Sequence, residues 1–259
     1  QQVLKQQTQT AKLEQLHQKF TKDASQETET ALSIARQKGW PIKEILEDGT
    51  LIELQRLTPA GRPLYYRTHN IDAARTVNTD HVWPGGIAGL DLTGAGLIIG
   101  EWDGSGVRVS HQEFGSRAIQ KDNASSYGNH STHVAGTLIA AGVNPDAKGM
   151  SYQATLHAYE WNDDNAEMAG AAANGLLVSN HSYGYATGWE YNIQNDGRWA
   201  WFGDPSVSET EDYNFGFYSQ YTREWDEIAY NAPYYLIVKS AGNERNDDGP
   251  VAGAQHWVF

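Results

Sequence analysis

The run GLIIGEWDGSG, Gly96 to Gly106, decides the fold. Its apolar half is short and bounded by glycines, which suits a strand buried in a parallel sheet. Asp103 follows at the strand's end, and the glycines around it let the backbone turn sharply in a crowded cleft. Further along the chain the pattern alternates. HSTHVAGTLIAA (130–141) predicts a helix and ATLHAYEW (154–161) a strand. NAEMAGAAANG (165–175) predicts a small-residue helix that stops at its glycine, and LLVSNHS (176–182) a strand. FGFYSQYTREWDEIAYNA (215–232) predicts a helix, and YYLIVKSAGN (234–243) a last strand. Strands alternating with helices imply βαβ units, hence an α/β domain whose mostly parallel sheet carries helices on both faces. Ligands of such sheets bind beyond the carboxyl ends of the strands. Asp103, Ser182-Tyr183-Gly184 and Asn243 all fall there.

Toward the amino terminus the character differs. Residues 1–38 read as two helices, the first carrying Leu4, Ala11, Leu13, Leu16 and Phe20, the second Ala31, Leu32, Ile34 and Ala35. Gly39 and Pro41 end the second. PIKEILE and TLIELQRL flank Asp48-Gly49, a strong hairpin signal, and LYYRTHN after the turn TPAGRP predicts a third strand. Residues 1–67 therefore form a small α+β unit with a modest core of its own, and 70–93 read as loop. Charge divides the chain near the same place. Residues 1–80 hold 11 Lys+Arg against 10 Asp+Glu, whereas 81–259 hold 8 against 22, within a net charge of −13. The reading is a unit with linker over 1–80 and a main domain over 81–259.

Composition excludes several classes. The chain has no cysteine, so disulfides, thiolate metal sites and a cysteine nucleophile are absent. The acidic main domain argues against nucleic acid, whose phosphates need a basic face. No run approaches the roughly 18 apolar residues of a membrane span. The opening QQVLKQQTQT has no leader's apolar segment, so a secreted protein would already have lost its leader.

The chemistry centres on NHSTHVAGT, Asn129 to Thr137. The start of a helix carries partial positive charge, which disfavours imidazolium and keeps His130 fit to accept a proton. A carboxylate beside it would oppose that shift, hold the tautomer and stabilise the imidazolium once formed. Asp103 is the candidate. The small residues Ala135, Gly136 and Thr137 let the helix pack closely on the sheet. Asn243 offers an amide donor to a developing oxyanion. His130 and His133 could instead be a metal pair, but no third ligand follows at a clear spacing, and no metal site is assigned.

GLIIGEWDGSGVRVSHQEF, NHSTHVAGT, SNHSYG and SAGNERND occur in the order and rough spacing of the subtilisin-like serine proteases, and the chain resembles secreted bacterial members of that family over about residues 94–259. The resemblance implies a subtilisin-like fold and a serine endopeptidase working through an acyl-enzyme on peptide or protein substrates. It implies that Asp103 orients and compensates charge, that His130 is general base and then acid, and that Asn243 is the oxyanion donor. Ser182, Tyr183 and Gly184 would be the backbone strip that pairs with an extended substrate. His133 corresponds to a structural position. No cofactor is required, and calcium is possible as a structural ion at the acidic runs WNDDN, DPSVSETEDYN or NERNDDG.

The sequence departs from that pattern at Ser131, where the family usually has glycine, at Glu101 in a usually apolar strand, and in DGSG, about one residue longer than usual. It also lacks the Gly-Thr-Ser-x-Ala segment that carries the family's nucleophile. The expectation is a second polypeptide bearing the serine, such as the remainder of a nicked chain, or else a truncated fragment. Ser125, Ser126 and Ser240 do not fill the role. Residues 1–67 have the size and pattern of the family's prosegment, which predicts a zymogen whose cleft is partly covered by residues near 65–80. Two other readings remain: a catalytically inactive binding or scaffold relative, and a carbohydrate-active protein. The latter would use the dense aromatic run WEYNIQNDGRWAWF (189–202) as a wall and Glu101 with Asp103, two apart on one strand face, as carboxylates.

Overall fold

The computed structural model describes residues 8–45, 51–68, 79–143, 147–193, 196–243 and 249–251. Helix α1 runs unbroken over Thr10–Lys38. The two expected helices are one because nothing between Thr21 and Gln26 breaks the ladder. The segment has no glycine or proline, and its polar side chains lie outward, with Thr21 and Thr30 donating to the carbonyls four residues back. Gly39 ends the helix as foreseen, at φ 68° and with its N–H on the Ala35 carbonyl.

Strands β1 (Lys43–Ile45), β2 (Leu51–Leu57) and β3 (Pro63–Thr68) follow in antiparallel order, with a bulge between Leu54 and Arg56. The Asp48-Gly49 turn lies outside the described residues. A fourth strand completes this sheet, and it comes from the main domain. β8 (Tyr183–Tyr185) pairs antiparallel with β3, in the register Tyr66↔Tyr185, Arg67↔Gly184 and Thr68↔Tyr183.

The amino-terminal unit does not keep a core of its own. Leu13, Leu16 and Phe20 of α1 pack with Ala166, Met168 and Ala169, while Ala31, Ala35, Ile52, Leu54 and Tyr65 pack with Ala186 and Ile193. One helix and three short strands bury too little by themselves, so both apolar surfaces are finished by the rest of the chain.

The main domain holds β4 (Ile98–Asp103), β5 (Ala118–Gln120), α2 (Asn129–Ile139), β6 (Thr155–Glu160), α3 (Asp164–Ala173), β7 (Val178–His181), α4 (Gln220–Asn231) and β11 (Leu236–Lys239). Its five-stranded sheet has the order β11-β7-β4-β6-β5, and every pairing is parallel. Helices lie on both faces, as expected of α/β. On one face α2 buries Ala135 and Ile139 against Ile99, Leu156 and Ala158. On the other, α3 and α4 bury Met168, Ala169 and Ile228 with Trp102. The aromatic run forms a hairpin of β9 (Trp189–Tyr191) and β10 (Trp199–Trp201), in which Trp189 faces Trp201 and Tyr191 faces Trp199. Behind it Ile193, Ala200 and Phe202 pack on the amino-terminal unit, so this wall is largely spent on packing.

Candidate active site

β4 delivers Asp103 to the carboxyl end of the sheet, and α2 delivers His130 from its first turn. Nδ1 of His130 lies 2.9 Å from each oxygen of Asp103. Oδ1 of Asp103 also accepts from the Gly104 N–H at 2.7 Å, so the carboxylate is held by its own turn. Asp103 is completely buried, whereas the His130 side chain keeps 18% of its surface. This geometry commits Nδ1 to the carboxylate, while Nε2 itself is shielded from solvent.

Ser131 explains one departure from the family pattern. Its hydroxyl donates to the Gly106 carbonyl at 2.9 Å and lies 3.1 Å from Ser105 Oγ, tying the first turn of α2 to the loop that follows Asp103. The Gly106 carbonyl also accepts from Gly128 N. Gly128 has no room for a side chain, since a Cβ there would stand 1.8 Å from Ser105 Oγ. The DGSG insertion and the serine thus form one interlocked corner that fixes His130 against Asp103. The sequence held the signal in Ser105 and Ser131, but their contact lies across 26 residues and is invisible to local reading.

Glu101 is fully enclosed, and neither of its oxygens has a hydrogen-bond partner among the described residues. Burial, and then the charge of Asp103, push its pKa well above the usual carboxylate range, which favours the protonated acid. An enclosed neutral acid cannot flank a sugar, which removes the physical basis for pairing Glu101 with Asp103 in glycoside hydrolysis.

The other expected residues are distributed as follows. Ser182 is half-buried just past β7 and accepts from Asn180 Nδ2 at 2.9 Å. Tyr183 and Gly184 lie in β8, where their backbone faces β3 rather than open solvent. Asn243 lies four residues beyond β11 and is exposed. His133 points outward from α2. Ser125 contributes its N–H and hydroxyl to Glu160.

Among the described residues no group of three or more His, Asp or Glu could hold a metal ion. In the acidic run 204–214, Asp204 accepts from Ser206, and Asp212 accepts from Gly188 N and Asn214. Most of NERNDDG lies outside the described residues. Nor, among those residues, is any helix long and apolar enough to cross a membrane.

Comparison with known proteins gives one family. The model of the subtilase family matches residues 101–256, a span that includes Asp103, His130, Ser182 to Gly184 and Asn243. No curated protein matches. Among solved structures, the crystal structure of fervidolysin from Fervidobacterium pennivorans, a keratinolytic enzyme related to subtilisin, is similar at 21% identity and a TM-score of 0.37. The likeness covers 62% of this chain and 23% of that one.

Proposed function

The chain belongs to the subtilase family, and from that premise we propose that it is part of a serine endopeptidase held in a zymogen-like form. One observation carries the reading: Nδ1 of His130 at 2.9 Å from both oxygens of Asp103, at the carboxyl end of a parallel sheet. In this reading His130 takes the proton of an attacking serine and returns it to the leaving amine, while Asp103 holds the tautomer and stabilises the imidazolium. Asn243 serves the oxyanion, and Ser182, Tyr183 and Gly184 pair with an extended substrate. The chemistry needs no cofactor.

The serine belongs to a second or missing segment outside these 259 residues, which completes the site. The edge strand β11 supports this, because Leu236 and Val238 stand 62% and 44% exposed on it. The amino-terminal unit, about residues 1–80, acts as the prosegment over a catalytic domain that begins near residue 81. β3 lying on β8 supports that part, since it occupies the strip assigned to substrate; residues 69–78 lie outside the described ones. We assign the protein to the extracellular space, as for the secreted relatives it resembles.

The test is fluorophosphonate labelling of the purified protein, before and after limited proteolysis, followed by denaturing intact mass measurement. One phosphonyl adduct on a second polypeptide, appearing or growing once the amino-terminal unit is cut, is the expected result. A second polypeptide that stays unlabelled after the cut would instead make this an inactive subtilase relative with a binding role. An adduct on this chain would overturn the serine assignment.

A further inference from the structure

Tyr66 of β3 is inserted into a box of aromatic rings of the main domain, with the buried Arg56 of β2 nearby. Its ring centroid lies 5.2 Å from that of Trp161, 4.6 Å from Tyr183 and 4.9 Å from Tyr185, all at tilted angles. Its hydroxyl donates to Oδ2 of Asp164 at 2.7 Å. Tyr66, Trp161, Tyr183 and Asp164 are each at most 4% exposed.

The hydrogen bonds behind the box have a fixed direction. Tyr183 donates its only hydroxyl proton to Oδ2 of Asp164 at 2.9 Å. The Tyr183 oxygen, 2.9 Å from Nδ1 of His181, must therefore accept from a protonated Nδ1. Nε2 of His181 is then the acceptor, filled by Ser179 Oγ at 2.8 Å, and Ser179 in turn accepts from Tyr235 at 2.7 Å. Burial pushes the His181 pKa far down, consistent with this neutral tautomer. Oδ1 of Asp164 accepts the Asn165 N–H at 2.8 Å. Every proton is committed, and one acceptor direction on Oδ2 is left for Tyr66. A group in the box without a donor would leave that direction unmet in a buried site, which is costly.

We propose that this box is a specificity pocket for a tyrosine side chain on a bound peptide, occupied in this state by the chain's own Tyr66. The proposal rests on the protease reading, in which a substrate strand replaces β3 on β8. Main-chain pairing along β8 admits any extended peptide, so selectivity falls to the pockets between its side chains. The residue opposite Tyr185 enters the box, whose rings and Asp164 are carried by the main domain. Tyrosine fills the ring space and meets Oδ2, whereas phenylalanine fills only the ring space. Substrates are therefore extended segments with tyrosine at that register position.

The experiment uses the full chain and needs no serine. Tyr66→Ala empties the box, and the probes are p-cresol and toluene, matched in shape except for the hydroxyl. p-Cresol should raise the melting temperature of the variant but not of the wild type, and should bind on the order of tenfold tighter than toluene. Equal binding of the two, or binding of neither by a folded variant, overturns the pocket. If Tyr66→Ala does not fold, Tyr66→Phe decides: amide exchange along the β3–β8 pairing should rise on the order of tenfold, and unchanged exchange overturns the proposal.

In an assembled, labelled enzyme, peptides differing only by Tyr or Phe at that position should differ on the order of tenfold in kcat/KM. No phosphonyl adduct together with a preserved p-cresol preference would remove the protease and leave a tyrosine-binding pocket. Labelling without any preference would do the reverse.

Discussion

β4 separates two histidines that stand on opposite faces of the same sheet. His130 meets Asp103 on the α2 face, and His181 stacks on Trp102 on the α3 face at 5.3 Å. Both are tied to hydroxyls or carboxylates at ordinary distances, and by partner list alone either would pass for a catalytic base. They differ in access and commitment. His130 keeps 18% of its side-chain surface and bonds through Nδ1 to one carboxylate, with Nε2 covered in this state, whereas His181 is completely enclosed, with both nitrogens occupied by Ser179 and Tyr183. A histidine works as a base when a reactant can reach one of its nitrogens. Enclosure on both sides turns the same ring into a structural cross-link.

Exchanging the carboxylate for its amide breaks this contrast most directly. Asp103→Asn in the assembled enzyme should lower kcat by a factor on the order of 10^4, the scale known for triad aspartates in trypsin and subtilisin and carried over from them. The fold should survive, because asparagine keeps the shape and can still accept from Gly104 N. Peptide hydrolysis checks the first statement and a thermal melt the second. A loss below tenfold would mean that Asp103 is not the orienting group.

The rear histidine should answer in the opposite way. His181→Phe keeps the stacking on Trp102 but leaves Ser179 without its acceptor and Tyr183 without its donor. Denaturant unfolding should show a loss of roughly 2–3 kcal/mol, the cost of stranding buried hydroxyls. Catalysis per folded molecule should change little. Unchanged stability would show that the network is ornamental.

Two acids on β4's faces set a pH dependence. Burial raises Glu167, which accepts from Trp102 Nε1 at 2.9 Å, to about 9, and it raises Glu101 well above the usual range. A carboxyl with a folded pKa above its unfolded value of 4.5 holds its proton more tightly in the native state. Its stabilising contribution is complete below pH 4.5 and is lost as pH rises through the folded pKa. Native stability should therefore fall between pH 5 and 9, and Glu167→Gln should flatten that fall by about 1 kcal/mol or more. Urea melts at both ends of the range measure this. A variant with the wild-type slope would place the charge elsewhere.

The front of the sheet was far more legible than the back. Asp103 and His130 sit at element ends, where local rules apply: a strand bounded by glycines and a helix opening on histidine. The βαβ alternation gave the parallel sheet for the same reason. The rear network rests on Ser179, His181, Tyr183, Asp164 and Tyr66, which are spread from residue 66 to residue 183, and no local pattern distinguishes those tyrosines from ordinary core. The strip expected at Ser182 to Gly184 is for an extended substrate, and the strand that lies on β8 is β3, a pairing set by tertiary contact. The two helices foreseen over residues 1–38 failed for a simpler reason. The polar stretch between the two apolar sets only marks the outer face of one long helix.

That outer face yields the smallest effect. Lys19 and Asp23 stand four apart on α1 at 3.6 Å, with side chains 52% and 37% exposed. Solvent screens such a pair, and holding two long side chains in one geometry costs entropy, so Lys19→Ala should change stability by less than about 0.5 kcal/mol. α1 is held from within, by Leu13, Leu16 and Phe20 against α3 and by His17 Nδ1 donating to the Ala166 carbonyl at 2.5 Å. Chemical denaturation in low and high salt separates the two sources. A loss above 1 kcal/mol that vanishes in high salt would mean that surface charge rather than the buried stripe fastens the amino-terminal unit, and the unit would then be released by ionic strength alone.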